Sequence, residues 1–177
     1  DSMGSVQAAG ELISAEEAVD RPLLAIARLC EGLNYWEESY RALAAAGEVY
    51  DAARLQEDYL EAPELAIQGY EAVLAADGTK VAAAAGLARL QRKAGNREAL
   101  AEAHFRLAGM LDSPSVRVVH AVLAGHLFEG LERQDEALAS YEQIVAADPA
   151  DRASYERLVR GYYFLGDGHY TEEEQKI

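Results

Sequence analysis

Residues Leu65–Gly78 (LAIQGYEAVLAADG) and Glu136–Pro149 (EALASYEQIVAADP) superimpose without a gap at an offset of 71 positions. Ala66 falls on Ala137, Tyr70 on Tyr141, Val73 on Ile144 and Leu74 on Val145, and both copies close on Ala-Ala-Asp. In each copy the large apolar residues recur at three- and four-residue steps (Ile67, Tyr70, Val73, Leu74; Leu138, Tyr141, Ile144, Val145), which sets them on one helical stripe. Each copy reads as an amphipathic helix. The Asp-Gly and Asp-Pro endings stop it, because glycine accepts left-handed geometry and proline disfavours helical geometry in the residue before it.

An offset of 71 is close to twice the ~34-residue period of helix-turn-helix repeats, so a more diverged unit is expected between the copies. Ala99-Leu100-Ala101 fills that place, after the turn signal Ala94-Gly95-Asn96 and an alanine-rich helix over Val81–Lys93. A fourth match is the helix Trp36–Ala46, preceded by Pro22–Glu31 and the turn Gly32-Leu33-Asn34. Helices therefore come in pairs. Ser14 and Glu17 have capping-box spacing, Asp20 can cap a helix with Pro22 in its first turn, and Ser113-Pro114 repeats that pattern.

Composition agrees. Alanine is abundant, proline occurs at four positions, and β-branched runs are few across 177 residues, a balance that favours helix over strand. The formal charge of -15 opposes binding to phosphate backbones and anionic lipid surfaces. A solvated acidic face accounts for that charge without a basic partner. Cys30 is the single cysteine, so neither an intrachain disulfide nor a thiolate cluster can form, which favours a reducing compartment. No apolar run approaches the ~20 residues of a membrane span, and the N-terminus lacks a charged-then-apolar signal. A cytoplasmic location is expected, although Asp1–Ser5 (DSMGS) has the look of a cloning remnant that could replace a native signal.

These residues resemble the tetratricopeptide repeat family, whose pattern pairs W-x2-L-G-x2-Y on a first helix with A-x3-F-x2-A-x4-P on a second. The second half is matched by Ala137, Tyr141, Ile144 and Pro149. The first half is matched by Ala121, Ala124, Gly125 and Phe128, and again by Tyr155, Leu158, Val159 and Tyr162. Upstream the match departs: Gly78 replaces the closing proline, Arg54 and Glu57 occupy small and aromatic positions, and Arg106 falls where a small residue is expected. The resemblance implies an all-α, right-handed α-solenoid of antiparallel helix pairs, about four and a half repeats long. Divergent repeats of related solenoid families are the alternative. Residues 1–13 are expected to be a tag remnant or flexible segment, and 14–177 a single repeat domain. That domain is expected to be truncated at its C-terminus, where Thr171 and Glu174 start a partner helix that stops at Ile177.

No residue pattern announces catalysis, a cofactor or a metal. His120 and His126 lie six residues apart, about 120° around a helix, and cannot grip one ion as an i, i+4 pair would. His104 and His169 stand alone in the sequence. Cys30 shares a spacing with Leu23 and Ile26 and is expected on a packing face, not as a nucleophile. The carboxylate runs lack calcium-loop order, and no phosphate loop, nucleophile elbow or His-Glu-x-x-His pair is present.

In tetratricopeptide repeats the first helix of each pair lines a concave groove that holds extended peptides or partner helices. By register the resemblance places Arg28 with Arg21 and Leu24, Leu55 with Asp51 and Asp58, and Ala88 with Ala84 and Gln91 on that side. Val119, Val122, His126 and Glu129 follow, and then Glu156, Arg160 and Tyr163. The Lys and Asn set of the family's carboxylate clamp is missing, which leaves a groove with an apolar middle. The expected function is a non-enzymatic scaffold or adaptor that binds a peptide or amphipathic helix of another protein. Alanine richness and a preference for Arg over Lys suit a bacterial assembly, and the C-terminal end would allow self-association. An architectural or oligomerising segment with an empty groove is the alternative.

Overall fold

The computed structural model describes residues 20–150 together with 152–154, 156 and 158. Among these, every regular element is a helix. They are α1 (Pro22–Gly32), α2 (Trp36–Ala46), α3 (Val49–Asp58), α4 (Pro63–Ala76), α5 (Val81–Ala94), α6 (Arg97–Met110), α7 (Pro114–Glu129) and α8 (Gln134–Ala147). The chain divides into two compact units, residues 1–86 and 87–177. In the first, α1 packs on α2, α2 on α3 and α3 on α4; in the second, α6 packs on α7 and α7 on α8. In each unit these helices that follow one another in sequence touch in space, the packing order of tetratricopeptide-like helical repeats.

The turns follow from a few residues. Gly95 adopts φ +71° and ends α5, and the Asn96 side chain then accepts a hydrogen bond from the Ala99 N–H at 3.2 Å to cap α6. The internal repeat is visible in the backbone as well: Asp77 and Asp148 end α4 and α8 with nearly identical torsions, φ −137° with ψ 92° and 90°. The mechanism differs from the expected left-handed glycine, since Gly78 is not among the glycines with positive φ. Instead the aspartate side chain turns the chain itself. Asp77 Oδ1 accepts from the Thr79 N–H at 3.0 Å and Asp148 Oδ1 from the Ala150 N–H at 3.1 Å, an Asx turn in both copies.

Two expected caps are corrected. Arg21, not Asp20, holds the N-cap position of α1, and its side chain caps no backbone group. Ser113 does precede Pro114 at the start of α7, but its Oγ lies 3.2 Å from Ser115 Oγ and caps no backbone group. Proline's fixed φ and missing N–H suit the first turn without a cap. Ser14, Glu17, Thr171 and Glu174 lie outside the described residues.

The core of the first unit gathers Ala27, Ala42, Leu43, Ala52 and Leu55 with Leu24, Trp36 and Tyr40 around it. The second gathers small residues of α6 and α7 (Ala101, Ala108, Ala121, Ala124) around Phe128, Tyr141 and Ile144. Tyr70 and Tyr141, equivalent in the repeat, are both buried, at 0% and 2% exposure. Each lies against a glycine: a Cβ on Gly86 would meet the Tyr70 ring at 2.5 Å, and one on Gly125 the Tyr141 ring at 2.8 Å. Alanines and glycines thus let the helices close to a distance at which the aromatic rings fill the gap.

Candidate functional site

The most unusual surface of the second unit is on α7. This helix buries Ala121, Ala124, Gly125 and Phe128 against its neighbours. Val116, Val119 and Leu123, at steps of three and four, remain 41%, 55% and 43% exposed. At about 100° per residue the exposed set is centred roughly 160° from the buried one, so the two lie on opposite sides of the helix. A helix apolar all round normally has neighbours all round. Contiguous exposed apolar side chains of this kind mark docking surfaces more often than solitary ones do. His126 continues the exposed stripe and stands 3.5 Å from Glu129, a pair that is ionic only when the imidazole is protonated.

The expected groove residues fare differently. Val122 borders the stripe and is half-buried against the core of its unit, and His126 is exposed on the same helix. These two are brought together with Val119. Arg28 is exposed on α1 of the first unit. Leu55, at 1% exposure, and Ala88, at 8%, are buried, so their side chains pack against protein and not solvent. Arg160 and Tyr163 lie outside the described residues. Val116 and Leu123 were not among the expected residues, although their spacing from Val119 carried the signal.

Three further features arise only in three dimensions. His104 of α6 does not stand alone: its Nδ1 lies 2.9 Å from Nδ1 of His120 on α7. Burial, then the facing His120, then Arg92 push the His104 imidazole down to about 4. Arg133, at the start of α8, contacts Glu136 at 2.6 Å and Glu98 and Glu102 of α6 at 3.0 Å each, and its guanidinium lies over the Phe128 ring at 4.9 Å. Hydrogen bonds to Glu136 and Glu102 raise the Arg133 value, and the same contact holds the Glu136 carboxyl below its ordinary range. In the first unit Trp36 stacks on the exposed Tyr59 with ring centres 3.8 Å apart.

Leu23 and Ile26, expected to share a packing face with Cys30, are exposed, because α1 turns Ala25 and Ala27 inward instead. Cys30 is half-buried, and burial followed by Glu38 raises its thiol, which lowers its reactivity at neutral pH. Among the described residues no group of three or more His, Cys, Asp or Glu is placed to hold a metal ion. No helix among them is long and apolar enough to cross a membrane.

No protein-family model and no curated protein matches the chain. Among solved structures, one similar in fold is described as "Crystal structure of MamA protein", at 17% sequence identity and a TM-score of 0.48, with 81% of each chain covered.

Proposed function

We propose that this chain is a non-enzymatic scaffold of the tetratricopeptide type that holds a peptide or amphipathic helix of another protein, as part of a bacterial assembly. The observation that carries this reading is the exposed Val116, Val119 and Leu123 stripe on α7, the first helix of a pair, flanked by Val122 and His126. Residues spaced by three, then four, are what a second helix meets when it lies along the first. The large apolar residues supply the contact, and Glu129 with His126 gives one rim a polar end. By sequence register Arg160 and Tyr163 belong to the same face of the next repeat and extend the contact toward an acidic or aromatic element.

The substitutions Val119→Glu and Leu123→Glu test this. Both side chains point to solvent, so helicity and melting should stay near the parent's while capture of the partner from a native extract, identified by mass spectrometry, is lost. Capture unchanged by the pair would remove α7 from the site. Conversion of a self-associated species to monomer, with no second protein captured from the parent, would favour the architectural alternative.

A further inference from the structure

His104 and His120 meet nitrogen to nitrogen, with Nδ1 atoms 2.9 Å apart and ring centres 5.1 Å apart. The gap plus the two centre-to-nitrogen radii nearly accounts for the whole separation, so the rings meet head-on. Two nitrogens bound to one ion would converge at an angle. A head-on contact at this distance is an N–H···N hydrogen bond, in which one ring carries its proton on Nδ1 and the other on Nε2.

We propose that this pair is a single-proton latch between α6 and α7, closed while at most one ring is charged and opened when acid charges both. The first added proton goes to the outer Nε2 of the donor ring, which leaves the shared bond in place and makes it charge-assisted. The second sets N–H against N–H and charge against charge at a half-buried contact.

Surrounding charges do not offset that second proton. Arg92 of α5 adds positive field at His104. Arg117 of α7 donates to the Ala108 carbonyl of α6, and Arg97 and Arg106 of α6 are exposed. The carboxylates of α6, Glu98 and Glu102, are held by Arg133 together with Glu136 of α8. Glu129 stands beside His126, and Asp135 and Glu142 of α8 are exposed. His120 is also lowered, by burial. Because both folded values lie below the ordinary 6.5, the unfolded chain takes up protons first; the histidine contribution is complete above 6.5 and is lost as pH falls toward about 4. The latch does not depend on what α7 binds, but opening it would free the helix that bears the exposed stripe.

Imidazole nitrogen NMR and denaturant midpoints on the whole chain test the proposal. At neutral pH one ring of the pair should show the Nδ1–H tautomer and the other Nε2–H, and both should titrate below the histidines of the denatured chain. The midpoint should fall on acidification. His104→Leu with His120→Leu should remove much of that fall. Identical tautomers with denatured-like titration would overturn the latch, as would an unchanged acid response in the double variant. The wild-type spectra decide the matter if the double variant does not fold. Equimolar zinc that shifts both Nδ1 signals and raises the midpoint at neutral pH would overturn it in favour of a metal site.

Discussion

Tyr70 packs on Gly86, Tyr141 on Gly125 and His104 on His120, and in each pair the partners are sixteen positions apart. A fourteen-residue helix plus a short turn puts the middles of adjoining helices about that far apart. The tyrosines were legible in the sequence because the two copies align without a gap. The histidine pair was not, because a search for two histidines on one helix passes over partners on neighbouring helices. Tyr141→Ala should cost about 3–5 kcal/mol, since it empties a filled position beside Gly125 that the helices cannot close. Gly125→Ala tests the other half of the contact. Helix propensity alone would favour alanine by about 1 kcal/mol. A Cβ 2.8 Å from the Tyr141 ring should reverse the sign and lower the denaturant midpoint. A stabilised Gly125→Ala would mean that the ring moves aside freely.

At the scale of elements, helix positions followed from apolar periodicity and the Gly95 stop from its turn signal, whereas the way the two repeat copies stop did not follow. The glycine in Asp77-Gly78 drew attention, but the aspartate makes the turn in both copies, through an Asx bond that periodicity does not register. The spread of carboxylates likewise read as a uniform solvated face, yet Arg133 gathers three of them and ties α6 to the start of α8. Arg133→Gln should therefore lower the melting temperature and make it less sensitive to added salt, because salt screens the ion pairs of this cluster in the parent and the variant lacks them. Glu98→Gln and Glu102→Gln should each cost less, since the other carboxylate continues to hold the guanidinium. Equal salt sensitivity in Arg133→Gln and the parent would show that the cluster carries no stability.

For the whole molecule, the all-helical class was legible because composition, periodicity and repeat agree. Exposure was legible in part: of the positions that register assigned to a groove, Val122 is half-buried and His126 exposed on α7, whereas Leu55 and Ala88 are buried. Register describes which helix a residue belongs to, and a one-position error rotates a side chain by about 100°, from surface to core. Residues 14–177 as a single repeat domain predict one cooperative transition. Trp36, the single tryptophan, reports on the first unit, so its fluorescence melt should coincide with the circular-dichroism melt of the whole chain. Two separated midpoints would identify the units as separate domains.

The central claim, that α7 presents its outer stripe to another protein, is tested most directly by site-specific photocrosslinking in native cells. A photoreactive residue at position 119 or 123 should give one discrete adduct whose second component is a different protein. The same group at position 142, exposed on α8, should not give that adduct. Equal labelling from all three positions, or adducts only with another copy of this chain, would contradict the account.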